Sequence, residues 1–331
     1  ETAEKAIRYC IRNGIYVIVD WHVHNALDPA NKEKAIEFFD YISKKYGMYD
    51  NVMYELWNEP GWHDHVRFEQ GIIDIPHESS VIPWNEIKDY CSDIIDVIRA
   101  NDSDNIIICP SPCWDQYIEE VSKSPITSDE HLMYSFHFYA GSHLFNKNGH
   151  DGNPPTPAWL IYWSGDDSWN WTNAQNYAYS NNMTDAAKSD NIPLPTEMGK
   201  YGDDDDCPPG WDDIYKMTWS MHFEPWMKLD RTISDDNGSA KHHIPIFVTE
   251  WGTTLYDGGQ PDTSDKCFIN AAQEWVSYMD GHFLSWCNWS VSDKNEGASL
   301  LKPGASPNGG WSESALTTSG KYIRNKLRES Y

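Results

Sequence analysis

Basic residues are scarce in this 331-residue chain: 25 Lys and Arg stand against 51 Asp and Glu, a formal net charge of -26 at pH 7. A polyanion is repelled by such a surface, which argues against nucleic acid and anionic membrane as partners; a neutral polymer meets no such barrier. No apolar run approaches the length that spans a bilayer. Cysteine is sparse as well. The seven thiols (Cys10, Cys91, Cys109, Cys113, Cys207, Cys267, Cys287) form no CxxC pair, and Cys109 and Cys113 lack a partner cluster at zinc-finger spacing. An odd count leaves at least one thiol unpaired. Cys109 and Cys287 lie in apolar, strand-like runs and are expected as small core residues, so cysteine leaves the redox compartment open. Also missing is a glycine-rich phosphate turn between a strand and a helix, which an open, doubly wound nucleotide-binding sheet would require.

What the chain has in plenty is aromatic: 17 Trp and 19 Tyr. Large rings serve packing first, and about half of them belong in a core of this size. The remainder offer flat apolar faces of the kind against which the C–H face of a pyranose can lie, so a carbohydrate cleft fits the surplus.

The hydrophobic pattern alternates strand and helix. Residues 2–14 read as a helix ending at Gly14, followed by a strand over 15–20. Apolar positions recur at helical spacing over 32–46, and Gly47 stops that segment. A strand follows at 52–56, then a helix opened by Pro83 and running to about Ala100, and a short strand at 105–109. The pattern continues with a helix near 116–122 and strands at 132–138 and 244–249. It closes with a helix at 269–280, a strand at 283–289 and a last helix from about Ser312. Continuous apolar strands between helices predict a parallel sheet covered on both faces.

The polar residues of interest (His22, Asn58, Glu59, His137, Tyr139, Glu250) and Trp286 stand at strand carboxyl ends, where a (β/α)8 barrel keeps its site. The chain opens inside a helix and offers six strands. The expectation is a (β/α)8 TIM barrel lacking its first two βα units, with sheet edges that such a remnant would expose. Residues 143–243 break the alternation. They are rich in Asn, Asp, Pro and Trp, with Asp203–Asp206 and Pro208-Pro209-Gly210 among them. This is too long for a plain barrel loop and is expected as an insertion with some helix of its own, such as 212–229; it is either a solvated excursion or a wall of the cleft. The four aspartates lack the spacing and the glycine of a calcium loop and read as a solvated charge run. The chain thus divides into barrel units over 1–142, the inserted region 143–243, and the closing barrel strands and final helix over 244–331, one catalytic domain in all.

Two stretches carry the chemistry: Leu56-Trp57-Asn58-Glu59-Pro60 and Ile246-Phe247-Val248-Thr249-Glu250-Trp251-Gly252. Each is an apolar run that delivers one glutamate among aromatics. A glycosidic oxygen is a poor leaving group unless it is protonated as it departs, so one carboxyl must be neutral while its partner, ionised, attacks the anomeric carbon or activates water. A strand-end Glu can instead cap a helix or form an ion pair. Glu197, in Leu194-Pro195-Thr196-Glu197-Met198-Gly199, imitates the second stretch, but its prolines spoil a strand and it lies too far before Trp286. Glu55 reads as structural or as a support behind the site.

The sequence resembles the family 5 glycoside hydrolases, most closely their endo-β-1,4-glucanase (cellulase) branch. The resemblance rests on Tyr16-Val17-Ile18-Val19-Asp20-Trp21-His22, Asn58-Glu59-Pro60 and His137-Phe138-Tyr139-Ala140-Gly141. It continues through Thr249-Glu250-Trp251-Gly252-Thr253, Trp286-Cys287-Asn288-Trp289-Ser290, Leu301-Lys302-Pro303-Gly304-Ala305 and Gly309-Gly310-Trp311. It covers about 1–142 and 244–331, which places the insertion between family strands 6 and 7.

The resemblance implies hydrolysis of β-glucans with retention of configuration. Glu59 would be the acid/base and Glu250 the nucleophile, with Asn58 bonded to the sugar 2-OH and Tyr139 holding the nucleophile. His22 and His137 would shape the glycone subsite, Trp286 would stack on the sugar, and Lys294 and Glu296 would serve a neighbouring subsite. The arginine that the family places at the end of its second strand has no counterpart to name here. The implied protein is metal-independent and without cofactor. Its partner is a β-glucan polysaccharide, with neither nucleic acid nor membrane, and it is a monomeric catalytic domain, secreted because its substrate is polymeric.

Two readings compete. Asp20-Trp21-His22-Val23-His24 places two imidazoles on one side of a strand end, as in metal-dependent amidohydrolase-type barrels; His137 would extend such a set, but the final strand supplies no aspartate. His63 and His65, and His242 and His243, lie in loop-like stretches and read as exposed. The third reading is a catalytically inactive glycan-binding fragment.

Overall fold

The computed structural model describes residues 2–63, 81–139, 229, 232–233, 244–253, 269–295 and 297–329. Glu197, Glu296, His65, His242, His243, the four aspartates 203–206 and nearly all of the 143–243 region lie outside them. Twelve elements position the site: α1 (Thr2–Asn13), β1 (Val17–Asp20), α2 (Pro29–Tyr46), β2 (Val52–Glu55), α3 (Trp84–Arg99), β3 (Ile107–Cys109), α4 (Ile118–Lys123), β4 (Leu132–His137), β5 (Ile246–Trp251), α5 (Ile269–Gly281), β6 (Ser285–Asn288) and α6 (Thr318–Glu329). The hydrogen-bonded order of the six strands is their chain order, and β1 through β4 pair in parallel. Sequential parallel pairing with a helix between most strands is the βα arrangement that the alternation predicts.

Contacts divide the chain into two compact units, Glu1–His137 with Lys228–Thr249, and Phe138–Met227 with Glu250–Tyr331. In the first, register runs Val17↔Val52 to Asp20↔Glu55, then Tyr54↔Ile107 and Ile107↔Leu132. Helix α3 buries Ile87, Tyr90, Cys91, Ile94 and Ile98, spaced three and four residues apart, which turns one stripe of the helix to the sheet. Each such side chain contributes about 1.5–3 kcal/mol when fully buried. Pro83 opens that helix as expected.

Helix α2 starts three residues before the apolar periodicity does. Asp28 caps it, accepting hydrogen bonds from the Ala30 and Asn31 amides at 2.9 and 3.4 Å, and Pro29 fills the first helical position. Gly47 ends it for want of room rather than for its backbone freedom: its φ is -62°, but a Cβ there would lie 2.6 Å from the Ser43 carbonyl and 2.7 Å from Asp102 Cβ. Asp102 is itself fixed, with Tyr54 Oη donating to its Oδ2 at 2.5 Å and the Asn105 amide to its Oδ1 at 3.1 Å.

In the second unit, Trp275 of α5 is fully buried, stacked on Tyr278 and edge-on to Phe138. The end of β5 meets β6 through Trp289 N donating to Trp251 O at 2.7 Å and Asn288 Nδ2 donating to the same oxygen at 3.2 Å. Gly252 lets that corner close: a Cβ would sit 2.7 Å from the Trp289 carbonyl oxygen and 3.0 Å from the Tyr139 ring. Helix α6 follows a short 3-10 turn at Glu313–Ala315, so the last helix begins at Thr318 rather than near Ser312. Cys109 is buried as expected, whereas Cys287 is half-buried; among the described residues, Cys10, Cys91 and Cys109 are free thiols. No helix among the described residues is long and apolar enough to cross a membrane.

Candidate active site

Beyond β2 the chain leaves the sheet through Leu56 and Trp57, both fully buried, and Asn58, 3% exposed, whose amide donates to the Trp21 carbonyl at 3.3 Å. Glu59 then adopts φ +53°, a left-handed conformation that costs a non-glycine residue roughly 1–2 kcal/mol. The conformation brings its carboxylate to the end of β4, where Glu59 Oε1 lies 2.9 Å from His137 Nδ1. His24 Nε2 stands 3.9 Å from the other oxygen, Oε2. Burial works to raise the Glu59 carboxyl, but the hydrogen bond and charge of His137, with His24 and His22 beyond, outweigh it and hold the group below the ordinary carboxylate range.

His137 is 2% exposed and uses both ring nitrogens, Nδ1 toward Glu59 and Nε2 toward Thr249 Oγ1 at 3.0 Å. His22, half-exposed, is bound through Nδ1 to Asp20 Oδ2 at 2.7 Å. It is His24, noticed in the sequence only as the second half of a metal-like pair, that stands beside Glu59. The same-side projection of residues two apart was the signal for it.

Behind His137 runs a buried polar chain. Thr249 Oγ1 makes a short hydrogen bond with Ser135 Oγ, and Ser135 Oγ lies 3.3 Å from Glu55 Oε1. Glu55 is 6% exposed, and burial, with the nearby charge of Asp20, pushes its carboxyl up to about 8. It is a support behind the site, as expected. Below its ordinary 4.5, both the folded and the unfolded chain hold this proton; between 4.5 and about 8 only the fold keeps it. Stability therefore falls as pH rises through that window, by up to about 1.4 kcal/mol per pH unit. Glu55→Gln, which stays neutral, is expected to flatten the decline, so that the variant gains a few kcal/mol on the parent between pH 5 and pH 8 in urea unfolding. An unchanged slope would remove Glu55 as its source.

Asp115 was not anticipated. It is fully buried in the turn after β3, and its carboxylate accepts the Ser111 amide at 2.7 Å and the Glu59 amide at 2.9 Å. A carboxylate just beyond a strand end was the available signal, masked by reading those residues as the approach to a helix.

In the second unit Glu250 lies in β5, partly exposed, and the Tyr139 hydroxyl donates to its Oε1 in a short hydrogen bond. A hydroxyl donor at that oxygen favours the charged carboxylate. The Phe138 amide donates to the Glu250 carbonyl at 3.3 Å, which sets Tyr139 one residue beyond the last sheet hydrogen bond. Trp286 is half-buried in β6, edge-on to Trp251 with ring centroids 5.5 Å apart, and Lys294 is exposed in the loop that follows.

Parallel strands alternating with helices, with carboxylates held by fixed donors at the strand ends, define an α/β-barrel protein. A model of the cellulase family, glycosyl hydrolase family 5, matches residues 1–205 and 215–295, and the chain belongs to that family. It is 32% identical over 333 aligned positions to Endoglucanase A of Evansella cellulosilytica, covering 100% of this chain and 46% of that one. It is 28% identical over 330 positions to an endoglucanase of Clostridium saccharobutylicum, covering 99% of this chain and 49% of that protein. The chain thus spans about half the length of the curated relatives it matches. A solved structure from Cytophaga hutchinsonii superposes with a TM-score of 0.59 at 26% identity, over 99% of this chain and 71% of that one.

Proposed function

We propose that this chain is the catalytic domain of a retaining, endo-acting glycoside hydrolase that cleaves β-1,4-glucan by double displacement, with Glu59 as acid/base and Glu250 as nucleophile. The observation that carries the reading is the pairing of each strand-end glutamate with a different kind of donor. Tyr139 gives Glu250 a fixed hydroxyl that suits a permanently charged nucleophile, whereas His137 gives Glu59 a partner with which a proton can be exchanged. The endoglucanase names of the two relatives support the same substrate class.

In the first step Glu250 attacks the anomeric carbon as Glu59 protonates the departing glycosidic oxygen, leaving a covalent glycosyl-enzyme. In the second, Glu59 takes a proton from water, and the hydroxide equivalent displaces Glu250 with net retention. Asn58, next to Glu59 in the chain, is proposed to bond the sugar 2-OH, and His22 and Trp286 are the proposed sugar contacts, with Lys294 and Glu296 serving a neighbouring subsite. The domain is proposed to run through barrel units over 1–142 and 244–331 around the inserted region 143–243, and to act as a secreted monomer on a polymeric substrate.

The test is hydrolysis of carboxymethyl-cellulose, β-mannan and xyloglucan by the protein, read as reducing ends together with loss of viscosity. Release from carboxymethyl-cellulose with an early fall in viscosity is expected. A folded protein inactive on all three overturns the reading.

A further inference from the structure

We propose that Asp115 is a positioning residue for the proton-donating step: it holds the Glu59 backbone in the conformation from which the carboxylate reaches His137. The inference rests on the acid/base reading of Glu59. Three observations carry it. Glu59 has φ +53°, and the turn that supplies Asp115 has three further residues on the same side of the map, Cys113 at +56°, Trp114 at +56° and Asp115 at +59°. None is glycine, so both segments sit in a conformation that must be imposed from outside. The carboxylate that spans them is fully buried and splits its two oxygens, Oδ1 accepting the Ser111 amide at 2.7 Å and Oδ2 the Glu59 amide at 2.9 Å. The Trp114 amide, for its part, donates to the Pro60 carbonyl at 3.0 Å, so the two strained segments are laced on both sides of Glu59.

A buried carboxylate without a charged role would be costly. Here it satisfies two backbone donors that would otherwise be stranded, and it does so at the residue on which protonation of the leaving group depends. Burial pushes the Asp115 carboxyl up to about 7, and its Oδ2 stands 3.8 Å from His137 Nε2, beyond hydrogen-bond reach; in its ionised form the charge favours a protonated ring. Asp115 therefore acts on both members of the Glu59–His137 pair without touching sugar.

The experiment separates positioning from general loss of structure by the leaving group. A 2,4-dinitrophenolate departs without help, whereas phenolate needs the proton, and kcat/KM reports the first displacement. For Asp115→Ala, kcat/KM on phenyl β-cellobioside is expected to fall by about 10–100-fold while that on 2,4-dinitrophenyl β-cellobioside changes by less than about 3-fold. Asp115→Asn, which keeps the side-chain volume but offers one acceptor where two amides must be met, is expected to show the same selectivity to a smaller degree. It carries the test if the alanine variant does not fold. Equal losses on both substrates, or no loss on either, overturn the positioning role. Glu59→Ala is measured alongside. If that variant loses both substrates alike, the acid/base reading itself falls, and the inference with it; if it is selective and the Asp115 variants are not, the inference alone falls.

Discussion

Replacing Glu250 by alanine is expected to lower turnover of carboxymethyl-cellulose by about 10⁴-fold or more, while cello-oligosaccharide binding measured by calorimetry stays within a few fold. The asymmetry follows from where the carboxylate acts. A nucleophile forms its bond only as the transition state is approached, so its loss falls on kcat rather than on ground-state affinity. The groups proposed to bind the sugar are others, among them Trp286, His22 and Asn58. The fold should survive, because Glu250 is partly exposed and its removal takes one acceptor from the neutral Tyr139 hydroxyl rather than leaving a buried charge unpaired. Tyr139→Phe gives the graded companion: it keeps the ring beside Gly252 but removes the hydroxyl's hydrogen bond to the carboxylate. Retained hydrolysis in Glu250→Ala would remove it as nucleophile.

The residues that place these groups were unevenly legible in the sequence. The strands were readable because each is a short, mostly apolar run. β1 to β4 are one or two residues shorter than the apolar pattern, β6 is three shorter, and β5 keeps its length but is shifted two residues on. Past the end of β2, Leu56 stays buried outside the strand. The start of α2 is written in Asp28-Pro29, a capping signal that lies outside the apolar periodicity. At the site, a glutamate at a strand end is visible in one dimension, but its partner is not. His137 meets Glu59 across 78 residues of chain, and Asp115 meets it across 56. No spacing rule connects residues that only sheet register brings together. The left-handed backbone at Glu59 was equally invisible, because nothing in Asn58-Glu59-Pro60 calls for a positive φ, and the reason for it is a buried side chain on another strand's loop.

Glu59→Ala is the second large effect, and it should divide by substrate. On phenyl β-cellobioside, kcat/KM is expected to fall by about 10³-fold; on the 2,4-dinitrophenyl analogue it should hardly change, because that leaving group departs unprotonated. On the activated substrate kcat should still fall, since the glycosyl-enzyme now waits for a water that no base assists. Azide, which needs no deprotonation, should restore kcat and yield a β-glycosyl azide, retained because two inversions have occurred.

The resting state makes the same residue informative about pH. Glu59 is held below the ordinary carboxylate range, against the pull of burial, by His137 2.9 Å away. With Glu59 as the proposed acid, such a pair would share one proton between two sites, and the acid for the leaving oxygen would form as that proton passes from Nδ1 of His137 to Oε1 of Glu59. The alkaline limb of kcat/KM therefore belongs to the pair. His137→Gln, which can hydrogen-bond but cannot carry the proton, should move that limb on the phenyl substrate and leave the 2,4-dinitrophenyl profile in place over the same range. Superimposable shifts on both substrates would instead tie the limb to binding, and Glu59 would lose its claim to the proton.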